Sequence, residues 1–141
     1  MMNFKTGDYQ KYEAFIRHTE QHLRLPEHLL AVTLYQASGY DPDKIAGKNR
    51  NPIGAIGIAN LTQADAKTLW GADDRRLDPY ASIAGAGRLL AGYKEKFGEW
   101  RFALLAHHTN PDIVRRVLQC DDPIPIDANR YVSEARSVCG V

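Results

Sequence analysis

Apolar residues recur at helical spacing along most of the chain. Tyr9, Tyr12, Ile16 and Leu23 fall near one face, which predicts a first helix over 8–23 with Asp8 as its cap. Leu29, Leu30, Val32 and Leu34 predict a short, mostly buried second helix that starts at Pro26 and stops at Gly39, a residue suited to a left-handed cap. From Tyr40 to Leu61 the period is lost. That stretch holds two Pro and three Gly and reads as a long ordered loop, with 53–58 as a short β-like hairpin. Thr62 and Asp65 match a capping box opening a helix that ends near Trp70 and Gly71. Asp78-Pro79 opens the longest helix, which Gly98 ends. Gly85, Gly87 and Gly92 inside it would each cost about 1 kcal/mol against Ala, so another backbone is expected to pack close there. A dense apolar run over 99–108 predicts a central helix. Asn110-Pro111 starts the next, to Cys120, and Asp127 caps a last helix over 127–138. The expected class is all-α, one domain over 1–141.

At 141 residues the chain suits one hydrophobic core. Lys plus Arg is 18 and Asp plus Glu is 17, giving +1 with the signs interspersed, so neither nucleic acid nor an anionic membrane is the expected partner. No apolar run approaches the roughly 18 residues of a membrane span, and residues 1–8 lack the apolar region of an export signal. Membrane insertion is therefore not expected. Cys120 and Cys139 have no metal-ligand spacing and are expected as reduced thiols rather than a bridge. His18 and His22 stand four apart on a helix, but no third ligand completes a metal set, and two solvated histidines are expected. No phosphate-binding loop, dinucleotide fingerprint or Ser-nucleophile elbow is present, so no cofactor is expected. His107 and His108 end the most apolar helix; being adjacent, at most one is expected to face a given cleft.

Four ordered blocks take the argument further. They are Tyr35-Gln36-Ala37-Ser38-Gly39-Tyr40-Asp41-Pro42, preceded by Leu29-Leu30-Ala31-Val32; Gly54-Ala55-Ile56-Gly57-Ile58-Ala59-Asn60-Leu61-Thr62; Asp78-Pro79 with Ile83 and Gly87; and Ala103 to Asn110. Together they resemble the soluble, goose-lysozyme-like lytic transglycosylases over residues 25–117. Those read Glu-Ser-Gly-Phe-x-Pro, Gly-Ala-x-Gly-Leu-Met-Gln, Asp-Pro-x-x-Asn-Ile and Ala-Tyr-Asn-Ala-Gly. The resemblance implies a lysozyme-like fold and an enzyme that cleaves the bond between N-acetylmuramic acid and N-acetylglucosamine without water. One carboxylic acid protonates the leaving oxygen, then takes the proton of the muramoyl 6-hydroxyl as a 1,6-anhydro ring closes. Such a glutamate needs an apolar pocket, since its free value of about 4.3 would leave it ionised at neutral pH.

The chain departs from that pattern where it matters most. Ala37 stands at the position of the catalytic glutamate and has no proton to give. Ala59 stands for Met, Asn60 for Gln, and His107-His108-Thr109-Asn110 for Tyr-Asn-Ala-Gly. Glu27 lies ten residues earlier, roughly 15 Å along a helix, and Asp41 lies beyond the Gly39 cap, so neither is expected to substitute. His107 is held open as a substitute acid. Ala37 is either an engineered knock-out or a natural loss, and the further departures favour natural divergence.

The sequence thus points to a peptidoglycan-directed domain that binds glycan strands without cleaving them. Ser38, Ile58, Asn60, His107, His108 and Tyr131 are its candidate substrate-binding residues. Each polar candidate has a structural alternative: Ser38 as a helix-end hydroxyl, Asn60 as a turn residue, Tyr131 as a core aromatic. The expected setting is a phage virion or tail, with other virion proteins as possible partners. The alternative is a structural adaptor of a phage tail or secretion apparatus that keeps only the fold.

Overall fold

A computed structural model of the chain describes residues 2–48 and 54–141. Among them are eight helices and no strand: α1 Tyr9–His22, α2 Leu29–Ser38, α3 Pro42–Ile45, α4 Gln63–Trp70, α5 Pro79–Phe97, α6 Trp100–His108, α7 Pro111–Cys120 and α8 Ile126–Cys139. The all-α expectation holds. The long α5 lies against α6, α1 and α2, while α8 returns to cover α2 and α6. Residues Phe102 to Ala106 are buried in succession, so α6 is enclosed on every side as its apolar run requires.

The caps explain most boundaries. Thr62 and Asp65 form a reciprocal capping box on α4. The Asp78 side chain accepts from Tyr80 N and Ala81 N, and Asn110 accepts from Ile113 N, with Pro at the first helical position in both cases. Gly39 and Gly98 end α2 and α5 in the left-handed conformation. Asp8 flanks α1 but makes no side-chain cap bond, and α8 starts at Ile126 behind Pro125, so Asp127 is a first-turn acid rather than the cap.

α2 begins three residues later than Pro26. His28 is left-handed, with φ +72°, and the orphan N–H groups of α2 find their acceptor on another helix. Glu20 of α1, 3% exposed, accepts from Leu30 N at 2.9 Å and Ala31 N at 3.2 Å through one carboxylate oxygen. Burial pushes this carboxyl above its ordinary value, and the backbone donors only partly offset it.

The loop expected over 40–61 contains a helical turn, α3, which Asp41 caps by accepting from Asp43 N. The start of the hairpin expected over 53–58 falls on Ile53, outside the described residues. A turn over 57–60 is closed by an antiparallel bridge between Ile56 and Leu61. Asn60 takes φ +51°, a conformation Asn tolerates because its short amide can bond locally. Arg76 clamps this turn. Its guanidinium, 4% exposed, donates to Gly54 O at 3.1 Å and Leu61 O at 3.2 Å and pairs with Asp74. A Cβ on Gly57 would fall on the Arg76 carbonyl.

The glycines of α5 serve side chains, not a neighbouring backbone. A Cβ on Gly85 would meet Leu69 at 2.7 Å and Trp70 at 3.0 Å, and one on Gly87 would meet Leu23 and Thr19; Gly92 faces open space, which removes the expected reason for it. His18 and His22 are exposed with stacked rings, and no group of metal-binding size occurs among the described residues. Cys120 and Cys139 are not bonded to each other. No described helix is long and apolar enough to cross a membrane.

Candidate functional site

The C-terminal end of α2, the turn over 57–60, the first turn of α4, the end of α6 and the start of α8 surround one cleft of about 760 Å³. Ala37, Asn60, His107, His108 and Tyr131 all line it. Positions far apart in sequence thus meet in one place. Ser38 and Ile58 do not reach the cleft. Ser38, 2% exposed, donates to Leu34 O and accepts from Tyr40 N, so its hydroxyl is consumed in ending α2. Ile58 is fully buried in the core and cannot touch a ligand.

Both adjacent histidines face the cleft, contrary to the expectation that only one would. The cleft wraps around the end of α6 and continues along Thr109 and Asn110, so residues pointing in different directions still border it. Their rings meet edge to face, at 82°.

A hydrogen-bonded network closes the far side. The Gln36 amide donates to Tyr131 O at 2.9 Å and reaches Glu134, while its oxygen lies 3.0 Å from His108 Nε2. The His108 ring stacks on Tyr131 with centroids 5.1 Å apart. α2, α6 and α8 are therefore joined at the cleft wall. Tyr131 is half-buried with one ring face covered by His108, and it lines the cleft.

Burial disfavours the charged form of both histidines. Burial, with the neighbouring His107, pushes His108 down to about 3. Burial also lowers His107, partly offset by the charge of Asp65. A substitute acid needs the opposite shift, so burial works against that role for His107. The carboxyls on the cleft are Asp65 and Asp127. Asp65 accepts from Thr62 N in the capping box, and Asp127 is exposed on α8.

Sequence reasoning missed Gln36, Asp65, Tyr93 and Asn110 as cleft residues. Gln36 adjoins Ala37, Asp65 was recognised only in a helix cap, and Asn110 only as a helix start and the end of the fourth motif block. Nothing in the pattern of α5 singles out Tyr93.

A helical frame with a groove across the end of one buried helix is the lysozyme-like architecture, and an inactive Glu-to-Gln mutant of the lytic transglycosylase Slt from Pseudomonas aeruginosa shares it. The two superpose with a TM-score of 0.65 at 18% identity, over 89% of this chain and 21% of that one. The sequence profile of the Transglycosylase SLT domain family matches residues 14–123, and the chain belongs to that family. It is also 37% identical, over 89 residues, to membrane-bound lytic murein transglycosylase F 2 of Alkalilimnicola ehrlichii; the match covers 63% of this chain and 18% of that protein. The chain thus spans about a fifth of the length of each relative.

Proposed function

We propose that this domain binds peptidoglycan glycan strands in the cleft at the end of α2 and does not cleave them. The supporting observation is the set of groups around Ala37. The reaction of lytic transglycosylases needs one group that is protonated at neutral pH, sits in an apolar pocket and reaches the glycosidic oxygen. Ala37 lines the cleft without any ionisable atom, and burial disfavours the protonated form of the two histidines on the same cleft. One Asp65 oxygen is held in a helix cap, and Asp127 is exposed on α8 rather than buried. The Slt mutant of the same fold, inactive after one Glu became Gln, illustrates how much such a carboxyl matters in a relative.

What remains is a polar, aromatic-walled groove large enough for sugar rings. Asn60, His108 and the Tyr131 hydroxyl serve as hydrogen-bonding groups, and Ala37 leaves room at the point where the glycosidic bond would sit. Neither named relative is a phage protein, so the virion setting rests on the sequence alone.

Calorimetric titration with uncross-linked glycan strands tests the proposal. Saturable binding is expected for the unsubstituted protein and none for Ala37→Trp, whose indole fills the groove. Equal binding by both would put the ligand elsewhere and overturn it.

A further inference from the structure

The Gln36–His108 contact carries more than a link between helices. The Gln36 side chain has two acceptors on one side: the Tyr131 carbonyl at 2.9 Å and the Glu134 carboxylate at 3.5 Å. A carbonyl or carboxylate oxygen can only accept, so the NH2 of the amide must face them and its oxygen must face His108. An amide oxygen cannot donate. The His108 Nε2, 3.0 Å away, therefore carries the ring proton, and in a neutral imidazole that leaves Nδ1 with a bare lone pair.

Nδ1 makes no hydrogen bond among the described residues, where every buried side-chain nitrogen and oxygen has a partner. It is accordingly not fully buried, on a residue that lines the cleft. The ring cannot readily turn away, because Tyr131 stacks against it and Gln36 holds its opposite edge. Burial opposes protonation, so the lone pair stays available across the physiological range.

We infer that Gln36 positions His108 as a dedicated hydrogen-bond acceptor, whose Nδ1 takes a hydroxyl or acetamido N–H of the bound glycan. The inference rests on the reading of the cleft as a glycan site and assigns one atom to the recognition. A preset acceptor favours a ligand that presents a donor there and disfavours one that presents only an ether oxygen, whose lone pairs would face another lone pair. Gln36 acts through His108 and is a positioning residue; His108 contacts the ligand.

The test reads the tautomer directly. In 15N-labelled protein at neutral pH, long-range 1H–15N spectra are expected to show His108 protonated at Nε2 and bare at Nδ1. The β-1,4-linked N-acetylglucosamine tetramer is expected to move the Nδ1 resonance as it binds. Gln36→Met, which keeps the shape and loses the amide, is expected to yield a mixture of tautomers. His108→Phe keeps the ring against Tyr131 but lacks the acceptor, and is expected to weaken tetramer binding ~tenfold; His108→Asn, with an amide oxygen near the place of Nδ1, is expected to recover most of it. An Nδ1-protonated or mixed His108 in the free, unsubstituted protein overturns the inference. So does a tetramer that shifts Asn60 and Tyr93 while leaving Nδ1 unmoved, and in that case the glycan-binding proposal stands. Absence of any cleft response overturns both.

Discussion

At the N-terminal end of α2 a glutamate from α1 lies sealed in the core, with one carboxylate oxygen accepting two backbone N–H groups; at the C-terminal end a cleft opens and Ala37 offers it no ionisable group. The capped residues, Leu30 and Ala31, lie seven and six positions before Ala37, roughly 10 Å along the helix. Burial raises Glu20, the direction a general acid requires. Yet Glu20 serves structure, because it is nearly sealed from solvent and one of its oxygens is spent on the orphan donors of α2. A shifted carboxyl is a catalyst only where a cleft meets it. The two ends of α2 differ in kind: a buried carboxyl from α1 caps one, and an open groove meets the other.

The largest expected effect comes from giving the open end what it lacks. Ala37→Glu places a carboxyl beside half-buried histidines at the cleft wall, and anhydro-muropeptides are expected from sacculi where the unsubstituted protein releases none. Mass spectrometry of the soluble products reads the outcome. Continued silence would mean that the changes at Ala59, Asn60, His107 and His108 also disable the groove.

Next in size is the closed end. Glu20→Ala strands the N–H groups of Leu30 and Ala31 in the core and is expected to cost about 2–3 kcal/mol in urea unfolding. Glu20→Gln keeps an acceptor and should cost much less. A Glu20→Ala protein as stable as its parent would show that the cap is dispensable.

Arg76→Met tests the wall that faces the open end. Losing the bonds to Gly54 O and Leu61 O is expected to cost about 2 kcal/mol and to weaken glycan binding by loosening the turn that carries Asn60. Unchanged glycan affinity in a folded variant would remove that turn from the site.

The smallest effects are slopes of stability with pH, and the two ends give opposite signs. His108 is lowered from 6.5 to about 3 in the folded protein, so between those values the unfolded chain binds more protons and stability falls as pH drops. Glu20 is raised above 4.5, so the folded chain binds more protons there and stability falls as pH rises from the ordinary carboxylate value through the raised one. Urea midpoints across mildly acidic pH are expected to lose the first slope in His108→Phe and the second in Glu20→Gln. Identical slopes in parent and variants would refute both assignments.

Elements with strong local signals were legible in the sequence. The bounds of α5 and α7 follow from Asp78-Pro79 with Gly98 and from Asn110-Pro111, since those caps act within one turn of chain. The start of α2 was not legible, because its cap comes from Glu20, ten residues earlier on a different helix. The cleft was legible at Ala37, Asn60 and His107 through motif order. Ser38 looked equally suited until the backbone at the end of α2 was seen to consume its hydroxyl. Gln36 remained hidden because its partner carbonyl lies 95 positions away, a relation that no spacing rule carries.

The central proposal is binding without cleavage at a groove where Ala37 brings no ionisable group, and incubation with purified sacculi tests it most directly. The protein is expected to sediment with the sacculi while the supernatant stays free of anhydro-muropeptides. Release of those products by the unsubstituted protein, or its failure to sediment, would contradict the account.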